Sequence, residues 1–300
     1  MLIAFNKQIS TIKVPVKSRD LFFYMANCVS IQGFEGSFHQ IAARQFFGKG
    51  VGILPCATFR EVVESTKGGE TDASVMAIEN SIAGSILPNY NLLHKSGLSI
   101  VGEVYLPIKQ HLLVNPGVRF EDIREVHSHP IALLQCMDFL AKQAWKLVET
   151  EDTALSAKHI HQRKSKQIAG VAGKLAAELF NLEISVENIH TEKNNYTRFL
   201  ILQKKGVERA DADKVSLSFH TDHSRGSLAR VLTRIAEGGL NLSKLQSFPI
   251  PSNAWKYNFH ADIEFDSIEQ FRSVMKEIEP VTEAIKVYGI YKNGHANTTK

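Results

Sequence analysis

The sequence predicts an α/β protein of two parts: a mostly parallel sheet with intervening helices up to about residue 204, then a smaller βαββαβ unit. The first part is predicted because short apolar runs alternate with amphipathic stretches from Cys28 to Lys204, which is the pattern of βα units. The second is predicted because strand-type alternation and helical spacing then follow in the order strand, helix, two strands, helix, strand. A chain of 300 residues with 44% hydrophobic content is long enough for two or three compact domains.

Short apolar runs mark the strands of the first part. They lie at residues 29–31, 73–78, 99–104, 111–114, 125–127, 168–171 and 199–202. A helix is predicted from Phe38 to Phe47, where Ser37 could be its cap, and another after Pro130, where apolar residues recur at helical spacing.

The segment at 206–213 is charged and poor in large apolar residues, which indicates a linker. Beyond it, alternating apolar residues predict strands over 215–219, 257–265 and 285–290. Helical spacing over 228–235 predicts a helix that ends at Gly238 and Gly239, and a second helix runs through Ile278.

Composition argues against several classes of protein. Thirty-five basic and 31 acidic residues give a net charge of +4 that is spread along the chain, unlike the concentrated patch of a nucleic-acid-binding surface. No apolar window is long enough for a membrane span. The three cysteines, Cys28, Cys56 and Cys136, are scattered, and metal and nucleotide motifs are absent, so we expect no disulfide framework, no metal and no cofactor. A reducing cytoplasm is the expected location.

Five polar clusters stand at the edges of apolar segments, where strand and helix ends present side chains and backbone amides to a ligand. Glu, Asn and Ser at the end of a buried strand need polar partners, from the protein or from a ligand. Each cluster also has a plain structural interpretation as a helix cap or a turn. The clusters lie at residues 33–38, 79–84, 128–130, 152–154 and 194–199.

In this order, the clusters resemble the motifs of prephenate dehydratase. The residues that carry the resemblance are Gly33-Phe34-Glu35-Gly36-Ser37-Phe38, Glu79-Asn80-Ser81-Ile82-Ala83-Gly84, Ser128-His129-Pro130, Asp152-Thr153-Ala154 and Thr197-Arg198-Phe199. The resemblance implies a periplasmic-binding-protein-like catalytic domain of two α/β lobes over residues 27–205. It also implies the decarboxylating dehydration of prephenate to phenylpyruvate in phenylalanine biosynthesis. The implied substrate-binding residues are Ser37, Glu79, Asn80, Ser81, Gly84, Ser128, His129, Thr153, Asn195, Arg198 and Phe199.

This reaction needs a group that assists departure of the ring hydroxyl and groups that hold two carboxylates. Thr197 is the predicted catalytic residue, because its hydroxyl could donate to the leaving oxygen. Arg198 is expected to pair with a substrate carboxylate or, alternatively, with a protein acid. Asn195 would orient the substrate or the loop of Thr197.

Residues 214–292 resemble an ACT domain, a regulatory module that binds amino acids at its dimer interface. The resemblance implies phenylalanine as an allosteric effector and a homodimer or homotetramer. The implied effector-binding residues are Gly226, Ser227, Leu228, Asn241, Leu242, Gln246 and Ser247. Gln246 and Phe248 depart from the Glu-Ser-Arg-Pro common in the family, and a module that only dimerises the enzyme is the alternative. Residues 293–300 would be a tail.

The first 26 residues form an N-terminal extension in which basic residues outnumber acidic ones. Met25 is an alternative translation start, so we expect residues 1–24 to be dispensable. No further helical domain precedes Cys28, so we expect no fused chorismate mutase and prephenate supplied by another enzyme.

Two other functions fit the same motifs. Arogenate dehydratase performs the same chemistry on the amino form of the substrate and gives phenylalanine directly. A non-catalytic protein that binds or senses a small anion would share the two-lobed architecture.

Overall fold

The computed structural model describes residues 26–206, 209–222, 224–249 and 257–297. Residues 1–25 of the expected N-terminal extension therefore lie outside the described residues. The same holds for residues 207 and 208 of the expected linker and for the end of the expected tail, residues 298–300. No helix of the described part is long and apolar enough to cross a membrane.

The first lobe is built on a six-stranded sheet. Its elements are β1 (Cys28–Gln32), α1 (Phe38–Phe47), β2 (Gly52–Cys56), α2 (Phe59–Gly68), β3 (Ala73–Asn80), β4 (Gly84–Ser85), α3 (Leu87–Ser96) and β5 (Ser99–Pro107). A much later strand, β11 (Tyr196–Gln203), lies between β3 and β5 and is antiparallel to both, in the order β2-β1-β3-β11-β5.

The second lobe is built on a five-stranded sheet with the order β10-β6-β9-β7-β8. Its elements are β6 (His111–Val114), β7 (Glu125–Ser128), α4 (Pro130–Gln135), α5 (Met137–Leu140), β8 (Lys146–Glu149), α6 (Thr153–Arg163), β9 (Ile168–Ala172), α7 (Lys174–Leu179) and β10 (Glu183–Val186). The chain crosses between the lobes twice, and the two crossings are joined by backbone hydrogen bonds from Ile108 to Asn195 (2.8 Å) and from Ile189 to Gln110 (2.9 Å).

All seven strands predicted in this part are confirmed, and four further strands were missed. Three of the missed strands, β2, β8 and β10, lie at the edges of the two sheets, where their side chains are largely exposed or half-buried. The fourth, β4, is a strand of two residues that pairs with β3. Edge strands need no continuous apolar run, because one side of each faces water, and apolar runs were the signal used for prediction.

The C-terminal domain has the predicted βαββαβ order. Its elements are β12 (Lys214–His220), α8 (Ser227–Glu237), β13 (Asn241–Pro249), β14 (Tyr257–Glu264), α9 (Ile268–Ile278) and β15 (Ala284–Tyr291). The sheet order is β13-β14-β12-β15, with every pair antiparallel. One face buries Leu217 and Ile263 against Val231 and Phe271 of the two helices.

The other face of the C-terminal sheet packs on the sheet of the first lobe. Leu200 and Leu202 of β11 share one buried cluster with Phe248, Tyr288 and Tyr291 of the C-terminal domain. This contact places the C-terminal sheet directly behind the strand that carries the predicted catalytic residue.

Gly289 of β15 lies where the two domains approach each other closely. A Cβ atom built on Gly289 would overlap the backbone carbonyl oxygen of Ile100 in β5. The missing side chain is therefore what allows the strands to pack at this distance.

We expect Gly289→Ala to lower the free energy of unfolding by about 1–3 kcal/mol or more, because the added methyl group meets backbone that has little room to move. Chemical denaturation of the full chain measures this. Gly50→Ala is the matched control, since nothing lies within 4 Å of a Cβ at that position. Equal stability of the two variants would contradict the prediction.

Candidate active site

The register of β3 and β11 sorts the predicted residues onto two faces of the first-lobe sheet. Thr197 lies opposite Asn80, and Arg198 lies opposite Glu79. Because neighbouring residues of a strand point to opposite faces, Thr197 and Arg198 cannot serve the same pocket through their side chains. Thr197 shares its face with Phe199, which packs towards α1, and Arg198 points to the C-terminal domain.

A β-bulge determines which residues of β3 join each face. The register advances from Glu79 opposite Arg198 to Ala77 opposite Phe199, so Ile78 is an extra residue on β3. Strict alternation would have placed Asn80 on the face of Met76 and Ile78, towards the C-terminal domain. The bulge instead turns Asn80 towards Thr197, which is how bulges re-aim side chains near functional sites.

Asn80 is the centre of the hydrogen-bond network on the Thr197 face. Its amide nitrogen donates to Asn195 Oδ1 (2.7 Å), Thr197 Oγ1 (3.0 Å) and the carbonyl of Tyr196 (3.1 Å). Its amide oxygen accepts from the backbone N–H groups of Ile82 and Ala83. The network therefore fixes the orientation of Asn80, Asn195 and Thr197 together.

Two donors of this cluster have no protein acceptor among the described residues. Asn195 is only 1% exposed, and its buried amide nitrogen has no hydrogen-bond partner. Thr197 Oγ1 accepts from Asn80 and makes no other described hydrogen bond, so the hydroxyl hydrogen is available. A buried donor without a partner carries a cost of about 1–3 kcal/mol, which a ligand oxygen would remove.

The cluster lies where the two lobes join. The backbone carbonyl of Asn195 bonds to Ile108 at the crossing between the lobes. Nearby loops also meet there, because a Cβ on Gly33 would lie 3.1 Å from Asp152 Oδ2 and a Cβ on Gly36 would lie 3.1 Å from Ala176. Both glycines have φ near +90°, a conformation that favours glycine.

Two helices begin at this junction, each with a side-chain cap. Ser37 Oγ accepts from Gln40 N at the start of α1 (3.4 Å), and Asp152 Oδ1 accepts from Leu155 N at the start of α6 (2.9 Å). Burial raises the pKa of Asp152 despite the backbone amides that favour its charged form. Thr153 is the first residue of α6 and is half-buried.

Arg198 pairs with acidic residues of the protein itself. Its side chain is 4% exposed, and its guanidinium donates to Glu103 (2.7 Å), Asp262 and Tyr291 (3.1 Å). Burial alone would lower the pKa of Arg198, but the carboxylates of Asp262 and Glu103 hold it well above its usual value. The alternative interpretation, in which Arg198 pairs with protein acids, is the one observed.

Four other predicted substrate contacts serve the protein's own structure. Glu79 accepts from Lys244 of β13 (2.6 Å), and Ser81 Oγ bonds to Asn194 O and Tyr196 N. Ser128 is fully buried and donates to the carbonyl of Val171 (2.6 Å), and Phe199 is buried in the core of the first lobe. Residues that stand side by side in a motif therefore face different neighbours, and their contact with substrate stays a prediction.

His129 and Gly84 have local roles in the described structure. His129 Nδ1 accepts from Ile131 N (3.2 Å) at the start of α4. Gly84 has a φ of +80° where the chain turns back along β3 to form β4.

His39 of α1 is a feature that the sequence analysis missed. Its ring stands edge-on to Phe199 (centroids 5.0 Å apart) and tilted to Phe59 (5.5 Å), and its Nε2 is buried without a partner. Burial lowers the pKa of His39 to about 4, so the ring is neutral at pH 7. No local signal distinguishes this histidine from the other eleven in the chain.

The predicted effector-binding residues form two groups in the C-terminal domain. Gly226, with a φ of +77°, precedes α8, and Ser227 Oγ bonds to Thr221 Oγ1 (3.0 Å). Leu228 packs against the core of this domain. Asn241 donates to Glu264 (2.9 Å), and Leu242, Gln246 and Ser247 follow it along the edge strand β13.

Comparison with known proteins identifies the family. Residues 29–207 match the family model described as prephenate dehydratase. A bifunctional chorismate mutase/prephenate dehydratase of Enterobacter agglomerans is 32% identical over 270 residues, which cover 88% of this chain and 70% of that protein. An arogenate dehydratase/prephenate dehydratase of Arabidopsis thaliana is 34% identical over 253 residues, covering 82% of this chain and 64% of that protein.

Two solved structures share the fold over about nine tenths of this chain. One, described as a novel type of quorum quenching acylase, has a TM-score of 0.82 and 28% identity and covers 91% of this chain and 100% of its own. The other is prephenate dehydratase of Arthrobacter aurescens in complex with L-Phe, with a TM-score of 0.79, 25% identity and coverage of 89% and 90%.

We expect His39→Phe to make the protein more resistant to acid. Below the unfolded pKa of about 6.5 the unfolded chain binds a proton that the native ring does not, so His39 lowers stability as the pH falls from about 6.5 to about 4. Relative to the wild type, the variant should gain about 3 kcal/mol between pH 7 and pH 4.

Urea denaturation at a series of pH values measures this difference, and carboxylates common to both proteins cancel in it. His159→Phe, at an exposed position of α6, is the matched control. Stability curves that stay parallel for wild type and His39→Phe would contradict the prediction.

Proposed function

The chain belongs to the prephenate dehydratase family, and we propose that the cluster of Asn80, Asn195 and Thr197 is its catalytic centre. The reaction converts prephenate and a proton into phenylpyruvate, carbon dioxide and water. The carbon–oxygen bond of the ring hydroxyl and the bond to the ring carboxylate both break, and the ring becomes aromatic.

The pair of unused donors supports this proposal most directly. Asn80 donates to both Asn195 Oδ1 and Thr197 Oγ1, which turns the Thr197 hydroxyl hydrogen and the Asn195 amide hydrogens away from Asn80. A leaving hydroxide gathers negative charge on oxygen, and donors that are already oriented stabilise that charge without reorganising. Thr197 would donate to the leaving oxygen, and Asn195 would hold the same oxygen or the neighbouring carboxylate.

The residues at the two helix starts suit the two carboxylates of prephenate. At the start of α1, beside Ser37, free backbone amides and the helix dipole favour a bound anion. At the start of α6 the Asp152 carboxylate already accepts from Leu155 N, so the hydroxyl of Thr153 would be the donor to a substrate carboxylate there. Because one helix belongs to each lobe, a substrate with two carboxylates would bridge the lobes and close them around the reaction.

The C-terminal domain has the features expected of an ACT module with phenylalanine as its effector. The Arthrobacter relative is described in complex with L-Phe, and the effector-binding residues proposed here lie on α8 and on β13. Among the described residues β13 pairs only with β14, so its outer edge can pair with the same strand of a second chain. A cytoplasmic homodimer or homotetramer is the assembly we propose.

Arogenate is the second candidate substrate, because the Arabidopsis relative is named for both activities. The acylase described for one structural relative is less well supported by this site. An acylase nucleophile needs an adjacent base, whereas the one described hydrogen bond of Thr197 Oγ1 comes from the amide of Asn80.

The test is formation of phenylpyruvate from prephenate by the purified full chain, followed by its absorbance in alkali, with arogenate and an acyl-homoserine lactone as alternative substrates. Turnover of prephenate supports the proposal. A folded protein that leaves prephenate and arogenate unchanged would contradict it. Addition of phenylalanine to the same assay tests the effector, whose binding should reduce turnover.

We expect Thr197→Val to lower kcat by about 10²–10⁴-fold, since it removes the donor to the leaving oxygen while keeping a β-branched side chain on the strand. Thr197→Ser, which keeps the hydroxyl, should retain most activity. Thr191→Val, at an exposed position of the second lobe, is the matched control for the loss of a threonine hydroxyl. Circular dichroism checks that the variants are folded, and wild-type turnover by folded Thr197→Val would exclude the assigned role.

A further inference from the structure

Four charged side chains, here called the quartet, join β3 and β11 to the C-terminal domain on the face opposite Asn80 and Thr197. In the first-lobe sheet, Glu79 lies opposite Arg198, and in the C-terminal sheet Lys244 lies opposite Asp262. Between the sheets, Glu79 pairs with Lys244 (2.6 Å) and Arg198 pairs with Asp262. Each acidic side chain of one sheet therefore faces a basic side chain of the other sheet.

The quartet is one residue removed from the proposed catalytic centre. Glu79 precedes Asn80 on β3, and Arg198 follows Thr197 on β11. Asn80 and Thr197 are themselves opposite each other, so the register that brings the amide to the hydroxyl also brings the two back-face charges together. Movement of either ion pair along the strands would change the contact between Asn80 and Thr197.

The partners on the C-terminal domain are themselves firmly held. Asp262 is fully buried and also accepts from Ser216 and His260, and Lys244 is half-buried. A buried ion pair contributes little net stability, because desolvation of the charges offsets their attraction, but its geometry is specific. This favours a role in positioning over a role in stability.

We propose that Lys244 and Asp262 of the C-terminal domain are positioning residues for the dehydration. They hold Glu79 and Arg198 and thereby set the distance between Asn80 and Thr197 on the opposite face of the sheet. The inference rests on the proposed function of that face.

The position of Lys244 connects this quartet to the proposed effector site. Lys244 lies on β13 between Leu242 and Gln246, two of the residues assigned to phenylalanine. The four charged side chains also line a cavity of about 490 Å³ between the domains. The side chain of Lys244 therefore has space into which it can move. An effector that moves β13 would change the Glu79–Lys244 pair first.

Lys244→Met in the full chain tests the proposal. We expect kcat for prephenate to fall about tenfold or more with KM within about twofold, because a small misplacement of reacting groups costs rate more than binding. Lys244→Arg, which keeps the charge, should restore most of kcat. The double variant Glu79→Gln, Lys244→Met should lose no more than the more affected single variant, because both residues act through one contact.

Lys286→Met is the matched control. Lys286 also joins the C-terminal sheet to the first lobe, but it donates to the carbonyl of His94 in α3, away from the catalytic strands. Its replacement should leave kcat within about twofold of the wild type, since it alters docking without touching β3 or β11. An equal fall in kcat for Lys244→Met and Lys286→Met would overturn the proposal, as would wild-type kcat in Lys244→Met.

Hydrogen exchange gives a second measurement that does not depend on activity. The peptide that covers residues 73–80 should exchange faster in Lys244→Met than in Lys286→Met, because the contact of Lys244 with Glu79 no longer holds β3. Equal exchange in the two variants would also overturn the proposal. If the wild type does not turn over prephenate, the proposed function fails, and the exchange experiment alone still decides whether Lys244 positions β3.

Discussion

The insertion of β11 between β3 and β5 is the constraint on which the rest of the molecule depends. This antiparallel strand lies inside the first-lobe sheet, next to the edge strand β5. It carries Thr197 on the face towards the lobe junction and Arg198 on the face towards the C-terminal domain. The hydrogen bonds of Thr197 and the ion pairs of Arg198 therefore lie on opposite faces of a single strand. The β-bulge at Ile78 has the same effect on β3, because it places Asn80 on the face of Thr197 and Glu79 on the face of Arg198.

The sequence was most informative where burial is continuous. Interior strands such as β3 and β9 were predicted from their apolar runs, whereas β2, β8 and β10 were not, because edge strands keep exposed side chains. The C-terminal order was predictable for a related reason: one sheet face lies against helices, so alternation in β12 and β14 is regular.

The candidate site was only partly predictable. The sequence indicated Asn80, Asn195 and Thr197, but their mutual hydrogen bonds depend on a register shift that leaves no signal in the pattern of residue types. The partners of Arg198 and Glu79, which are Asp262 and Lys244, could not be predicted from the motifs, because they come from a different domain. A motif shows which residues belong together in function, and only the packing shows which surface each one faces.

The position of β11 in the sequence, after the whole second lobe, also affects how the chain can fold. The first lobe begins at Cys28, yet the strand between β3 and β5 is made only after the whole second lobe, whose strands span His111 to Val186. During synthesis the second lobe can therefore complete its sheet while β3 and β5 still expose unpaired edges. Such long-range pairing is slow and leaves the nascent chain open to aggregation, so folding of this protein should depend on how soon residues 196–203 leave the ribosome.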